Sequence, residues 1–296
     1  MIGVFDSGFG GLTVHRALID ALPDRDFVYL GDNKNAPYGT RPPLEVLNLT
    51  CAGIERLFAE GCTLVIVACN TASVVTLRWI QQQWLPSIRR KDNVKRNAIG
   101  IVVPTIEAAT GLGWHEEARP LNPFGGGEEP SLPLFPAEAA GPHTIVVFAT
   151  PRTVETETYP YEIRKRRPDA RVFQQACPDL AAAIEAGASR QKLNELIRQY
   201  VGEMNEHLSA PPDSVILGCT HYPLVADLFA ENLPVGVPII HQPEATAHAL
   251  RTYLDRHPEY NIGKNSRRVF MSTGYSADAL PLIEKFWGGK LEFQQA

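Results

Sequence analysis

Short apolar runs rich in β-branched residues alternate with amphipathic helical patterns along most of the chain, and this alternation limits the fold more than any other feature. Strands separated by helices of this length favour parallel sheets built from βα units. The strand-like runs are too many for one small sheet, and 296 residues suffice for two domains of ordinary size. We therefore expect an α/β protein with two doubly wound, mostly parallel-sheet domains and the active site between them. The runs are 2–5, 27–30, 64–68, 98–103, 144–149, 171–175, 214–217, 237–240 and 268–272.

The composition argues against several classes of protein. A net charge of −5 lacks the basic footprint that a nucleic-acid-binding surface needs. No apolar stretch approaches the roughly 20 residues of a membrane span, and the first residues lack the charged head and long apolar core of a signal peptide. Five cysteines without a Cys-x-x-Cys pair indicate free thiols in a reducing compartment and argue against a structural metal. We expect a cytoplasmic protein that binds neither nucleic acid nor a membrane.

Two cysteines, Cys69 and Cys219, each follow a buried-looking strand. Ligands of open α/β sheets bind outside the carboxyl ends of the strands, so both thiols are expected at the cleft. A reaction that uses two opposed thiols is therefore the sharpest hypothesis. The other three cysteines, Cys51, Cys62 and Cys177, are expected to be small buried hydrophobes.

A polar, glycine-rich turn follows the first strand and begins with Asp6 and Ser7. It matches neither the dinucleotide-binding motif, because Thr13 occupies the sixth position, nor the phosphate-binding loop, because no Lys-Ser or Lys-Thr follows the glycines. The free amides at the start of a helix can hold a carboxylate. With a carboxyl group for an ammonium and a hydroxyl for an oxyanion, the turn suggests an amino-acid site.

Three further segments bear on the cleft. The backbone of Tyr38 and Gly39 is expected to face it, and His221 stands two residues after Cys219, where an imidazole can share the proton of a thiol. Residues 113–142 are rich in glycine and proline and cannot continue a helix or a central strand. We expect a surface insertion there, with a lid over the cleft as the alternative.

Four strings in the chain resemble those of the glutamate racemase family, in the same order: DSGFGGLTV at 6–14, GDN at 31–33 with APYG at 36–39, ACNTAS at 68–73, and LGCTHYPL at 217–224. Weaker similarity continues over 149–159, 176–178 and 270–278. The resemblance covers nearly the whole chain outside 113–142. One departure is His241-Gln242-Pro243, where the family commonly has an Asp-Ser-Gly-like turn.

The resemblance implies an activity and a domain arrangement. Glutamate racemases interconvert L- and D-glutamate without pyridoxal phosphate or a metal and supply the D-isomer for peptidoglycan. Cys69 and Cys219 would stand on opposite faces of the α-carbon, one as thiolate and one as thiol, so they would titrate as a coupled pair. Residues 1–97 and 236–296 would form the domain with Cys69, and residues 98–235 would form its pseudo-two-fold mate with Cys219.

The resemblance also implies roles for neighbouring residues. Asp6 would assist Cys69, and Glu157, with Glu155 as a nearby alternative, would assist Cys219 together with His221. Neither a cofactor nor a metal is expected. The partners implied are the substrate glutamate and, if the protein assembles, a second copy of the chain in a homodimer. The substrate-binding residues would be Asp6, Ser7, Pro37, Tyr38, Gly39, Asn70, Thr71, Thr220 and His221.

Other functions stay open at this point. A related cofactor-independent racemase, such as an aspartate racemase, could share the fold, although the string THYP at 220–223 favours glutamate. A non-catalytic amino-acid-binding protein on this scaffold would have no need of both cysteines together with Asp6 and His221. A cysteine hydrolase needs only one thiol.

Overall fold

The computed structural model describes residues 1–112, 143–261, 263–274 and 279–296, so the expected insertion over 113–142 lies outside the described residues. The strands are β1 (Ile2–Asp6), β2 (Phe27–Gly31), β3 (Leu64–Val67), β4 (Asn97–Gly100), β5 (Thr144–Ala149), β6 (Arg171–Ala176), β7 (Ser214–Gly218), β8 (Ile239–Ile240), β9 (Arg268–Ser272) and β10 (Gln294–Gln295). The helices are α1 (Leu12–Ala21), α2 (Pro43–Ala59), α3 (Asn70–Trp79), α4 (Leu85–Asp92), α5 (Val102–Thr110), α6 (Pro151–Glu155), α7 (Thr158–Arg166), α8 (Leu180–Glu185), α9 (Arg190–Glu206), α10 (Ala226–Asn232), α11 (Gln242–Arg256) and α12 (Leu280–Trp287).

The strands form two parallel sheets. One has the order β10-β9-β2-β1-β3-β4 and the other has the order β6-β5-β7-β8. Every strand pair among the described residues is parallel. Strands β1, β3 and β7 are buried along their whole length, as expected when helices cover both faces. The predicted two-sheet α/β architecture is confirmed.

The two sheets share one strand order. The first four strands lie as β2-β1-β3-β4 and the next four as β6-β5-β7-β8, so β3 and β7 hold equivalent places. This repeat matches the expected pseudo-two-fold relation at the level of topology. It also means that the segments after β3 and β7 emerge at matched strand ends.

Sheet membership differs from the expected domain borders at two points. The border at 97/98 cuts through β4, which pairs with β3 of the first sheet. The border at 235/236 would assign β8 to the first domain, whereas β8 pairs with β7 of the second sheet. Strand pairing therefore moves the first border past residue 100 and the second past residue 240.

The apolar core joins the two sheets. Because side chains alternate along a strand, Ile2 and Val4 of β1 enter one cluster and Phe5 enters another. The cluster that contains Ile2 continues into the second sheet through Val146 and Phe148. The two halves therefore share buried apolar surface. In the described part of the chain, no helix combines the length and the apolar character needed to cross a membrane.

Candidate active site

Cys69 lies at the junction of β3 and α3, where it is the N-cap of the helix. Its Sγ accepts a hydrogen bond from the backbone amide of Ala72 at 3.4 Å, and the residue is only 5% exposed. The N-terminus of a helix favours negative charge. The local fold therefore offers a partner to the thiolate form of this cysteine.

Cys219 follows β7 directly, at the matched end of the second sheet. Its Sγ lies 3.6 Å from Nδ1 of His221, and both side chains are buried. Each thiol thus comes from an equivalent strand in a different sheet. Both cysteines lie at strand ends, as the sequence predicts.

A carboxylate holds His221 at the other ring nitrogen. Oε1 of Glu185, the last residue of α8, lies 2.7 Å from Nε2 of His221. Burial lowers the pKa of His221, but the hydrogen bonds and charges of Cys219 and Glu185 outweigh it and raise the pKa well above its usual value. Cys219, His221 and Glu185 therefore form a hydrogen-bonded row that can hold and move one proton.

This row corrects the expected role of Glu157. Glu157 is exposed, and its Oε1 accepts a hydrogen bond from Gln174 at 2.9 Å. Glu155 is also exposed and pairs with a neighbouring arginine. The carboxylate on His221 belongs to Glu185 instead. The weak similarity at 176–178 leads directly into the helix that ends with Glu185, and this was the signal that could have found it.

The glycine-rich turn after β1 brings the two sheets together at the site. Oδ2 of Asp6 accepts hydrogen bonds from two backbone amides of the turn at 3.1 and 3.0 Å. Its Oδ1 is buried and has no hydrogen-bond partner among the described residues. A methyl group added to Gly10 would lie 2.5 Å from Oγ1 of Thr220 and 2.9 Å from Nδ1 of His221. Glycine at this position is what allows so close an approach.

Burial and the nearby charge of Asp6 favour the neutral thiol of Cys69. Burial, followed by the charge of Asp6, raises the pKa of Cys69 to about 12, and Cys219 acts in the same direction, while Ser7 opposes the rise. Burial also raises the pKa of Asp6, against the charge of His221. A cation that enters beside Asp6 would favour the charged forms of both groups.

The loop after β2 contains the expected substrate contacts Pro37, Tyr38 and Gly39. The hydroxyl of Tyr38 donates to Oδ2 of Asp32 at 2.6 Å, so the phenol is bound by the protein itself. Gly39 lies so close to Thr150 that an added methyl group would be 2.9 Å from the threonine Cβ. Tyr38 and Gly39 are buried, whereas Pro37 is exposed.

Thr71 meets two threonines of the second half that the sequence analysis did not single out. Its Oγ1 lies 3.1 Å from Oγ1 of Thr150 and 3.2 Å from Oγ1 of Thr153, which lie 3.1 Å from each other. All three hydroxyls are buried. Both missed residues fall in the weakly similar string at 149–159.

Asn70, the first residue of α3, also bonds across the site. Its Oδ1 accepts from the hydroxyl of Tyr159 at 2.7 Å, and its Nδ2 donates to Oε1 of Gln242 at 2.7 Å. Gln242 belongs to the segment that departs from the resemblance noted above. Neither Tyr159 nor Gln242 was expected at the site from the sequence.

Burial favours the neutral thiol form of the other three cysteines. Burial raises the pKa of Cys51 to about 11, that of Cys62 to about 12, and that of Cys177 further still. All five cysteines are free thiols. Within the described ranges, no group of three or more His, Cys, Asp and Glu side chains could hold a metal ion.

Known bacterial proteins are similar to the chain over its whole length. No family model matches the chain. The glutamate racemase of Phenylobacterium zucineum is 51% identical over 295 residues, which cover 100% of this chain and 99% of that protein. The glutamate racemase of a Caulobacter species is 49% identical with the same coverage.

The chain belongs to the glutamate racemase family. Among solved structures, glutamate racemase isoform RacE1 from Bacillus anthracis matches with a TM-score of 0.78 at 26% identity, covering 100% of this chain and 97% of that one. Membership of the glutamate racemases confirms the resemblance inferred from the four strings and the expected class of enzyme, an isomerase that racemises glutamate. The curated relatives are named for glutamate, which favours it over the aspartate alternative.

Proposed function

We propose that the protein interconverts L- and D-glutamate in the cytoplasm, with Cys69 and Cys219 as the two bases, and supplies D-glutamate for peptidoglycan. The observation that carries this proposal is the pair of buried thiols at matched strand ends of two sheets. A two-base racemisation needs one proton-transfer group on each face of the α-carbon. The proposal includes a homodimer. Light scattering of the purified protein, which gives its mass in solution, tests this part.

The proposed reaction is a pair of proton transfers. The thiolate on one side takes the α-proton, so a C–H bond breaks and an S–H bond forms, and the electron pair spreads into the α-carboxylate. The opposite thiol then gives its proton to the other face and is left as the thiolate. The roles of Cys69 and Cys219 swap with the direction of the reaction.

The residues beside each thiol support this chemistry. A substrate ammonium beside Oδ1 of Asp6 would supply the partner that this oxygen lacks, and its positive charge would lower the pKa of Cys69. On the other side, protonated His221, held by Glu185, would favour the thiolate of Cys219. Each thiol would therefore have its own cation, the substrate ammonium beside Cys69 and protonated His221 beside Cys219.

The charge that develops on the α-carboxylate needs fixed donors, because such donors stabilise a transition state without reorganising. The N-terminus of α3, with Asn70 and Thr71, is the proposed place for it, and the hydroxyls of Thr150 and Thr153 extend this donor group. Ser7, Thr220 and the Pro37–Gly39 backbone complete the proposed substrate site. Aspartate, one methylene shorter, would leave polar groups of this site unpaired, which can cost about 10⁴-fold in specificity.

To test the function, purified protein is incubated with L-glutamate without added cofactor, and the loss of optical rotation is monitored. Cys69→Ala and Cys219→Ala should each lower kcat by about 10³-fold or more, because each removes one proton-transfer group. Cys62→Ala, which removes a buried thiol outside the site, is the matched control and should keep wild-type kcat. Undiminished turnover in either active-site variant would exclude the two-thiol mechanism.

A further inference from the structure

Gln242 occupies the point where the two connections between the sheets meet. It is the first residue of α11, which leads from β8 of the second sheet back to β9 of the first. The other connection leaves β4 of the first sheet through α5. The Gln242 side chain is buried, with the residue only 2% exposed.

The amide of Gln242 hydrogen-bonds to three different helices. Its Nε2 donates to Oδ1 of Asn70 on α3 at 3.0 Å and lies 2.9 Å from Oγ1 of Thr105 on α5. The same nitrogen lies 3.2 Å from the hydroxyl of Tyr159 on α7. Its Oε1 accepts from Nδ2 of Asn70 at 2.7 Å. One side chain thus ties both connections to the helix that Cys69 caps.

The reciprocal pair with Gln242 determines which way the Asn70 amide faces. Oδ1 of Asn70 receives hydrogen bonds from both Gln242 and Tyr159, and Nδ2 gives one to Gln242. A half-turn of the Asn70 amide would set its oxygen against Oε1 of Gln242 and its nitrogen against the Nε2 donor. Both contacts would be repulsive, so the orientation is held.

We infer that Gln242 is a positioning residue for the reaction, which fixes the Asn70 amide and, through the first turn of α3, the place of the Cys69 thiol. The inference rests on the proposed function, since it concerns the same two bases. Asn70 follows Cys69 directly, so a shift of this side chain moves the helix start that holds the thiol. A misplacement of about 1 Å at a reacting group can cost about 10²-fold in rate.

Gln242→Met tests the hydrogen bonds at nearly constant shape. The variant keeps the length of the side chain and loses both polar functions. We expect kcat to fall by about tenfold to a hundredfold at a temperature at which circular dichroism finds the variant fully folded. A residue with only a structural role would lower the melting temperature and leave the kcat of the folded enzyme unchanged.

Gln242→Glu tests the donor through the pH dependence of the rate. The ionised carboxylate would face Oδ1 of Asn70, whereas the protonated carboxyl can donate to it as the wild-type amide does. The ratio of variant to wild-type kcat should therefore rise by about tenfold as the pH falls across the assay range. The hydroxyl of Tyr159 faces this position, and burial raises the pKa of Tyr159, so its hydroxyl stays protonated.

Gln82→Glu, which adds the same charge at an exposed position, is the control and should give a ratio near one at every pH. Unchanged kcat in folded Gln242→Met, or a flat ratio for Gln242→Glu, would overturn the inference. If Gln242→Met does not fold, the pH dependence of Gln242→Glu decides alone. An inactive wild-type enzyme would instead contradict the proposed function itself.

Discussion

The protonation and hydrogen bonding of individual side chains in this site depend on the groups beside which they are buried. His221 is buried between a thiol and a carboxylate, and together these raise its pKa despite the cost of desolvation. Asp6 satisfies one carboxylate oxygen with backbone amides and leaves the other without a partner. His221 can therefore hold a proton, and Asp6 can receive a cation at the oxygen that has no partner.

Replacement of Glu185 should change both the rate and its pH dependence. Glu185→Gln removes the negative charge that helps to raise the pKa of His221, so the imidazole should lose its proton at lower pH. We expect kcat/KM to fall by about tenfold or more and the alkaline limb of the pH–rate profile to move to lower pH. Initial rates across the accessible pH range measure both effects.

Glu157→Gln is the matched control for this experiment, because Glu157 is exposed and accepts a hydrogen bond from Gln174. It should keep the wild-type rate and profile. An unshifted profile in Glu185→Gln would contradict the role assigned to Glu185. A loss confined to Glu157→Gln would restore the partner expected from the sequence.

Helices, strands and turns divide into those that the sequence predicts and those that depend on packing. The strand ends at Cys69 and Cys219 could be predicted because each follows a run of apolar, β-branched residues. β10 could not, since Gln294–Gln295 has two exposed polar residues and no apolar pattern. Gln242 could not either, because its partners lie up to 172 residues away in the chain. Contacts at that separation depend on how the two sheets pack.

The turn between β1 and α1 gives a prediction at the scale of elements. Gly10→Ala places a methyl group against Thr220 and His221, so these residues or the turn must move. We expect destabilisation of about 1–3 kcal/mol from overpacking and a fall in kcat/KM of about tenfold or more from the displaced imidazole. Urea unfolding and initial rates measure the two effects.

Gly202→Ala is the control for the added methyl group. Gly202 lies exposed within α9, and an added methyl group would meet no atom within 4 Å. The substitution should stabilise the protein by roughly 0.5–1 kcal/mol through helix propensity and leave activity unchanged. Equal activity in both variants would show that the close approach at Gly10 does not matter for catalysis.

A buried histidine outside the active site makes the stability of the protein depend on pH. His15 on α1 is fully buried among the rings of Phe27, Tyr29, Phe270 and Trp287, and neither ring nitrogen has a hydrogen-bond partner among the described residues. Burial, and then the charge of Arg268, lowers the pKa of His15 to about 3. The folded protein therefore holds this imidazole neutral at a pH at which the unfolded chain protonates it.

The linkage has a definite sign. The unfolded imidazole takes up a proton near pH 6.5, so between about pH 6.5 and pH 3 the unfolded chain binds more protons than the folded protein. The free energy of unfolding should therefore fall as the pH drops through this window, by about 2 kcal/mol at pH 5. The free energy of unfolding is measured with urea at pH 7.5 and at pH 5. The decrease between the two pH values should be smaller in His15→Phe, because this variant lacks the buried imidazole. His207→Phe, at an exposed helix end, should keep the wild-type difference, and identical pH dependence in all three proteins would contradict the assignment.

Isotope labelling tests the two-base account most directly. Purified enzyme is incubated with L-glutamate in D₂O, and the separated enantiomers are analysed by mass spectrometry during the first turnovers. If Cys69 and Cys219 serve opposite faces, the D-glutamate formed should carry deuterium at the α-carbon from the start, because its new proton comes from a thiol equilibrated with solvent. The recovered L-glutamate should remain unlabelled over the same interval. Equal early labelling of both enantiomers, or transfer of the original proton into the product, would contradict the account and indicate a single base.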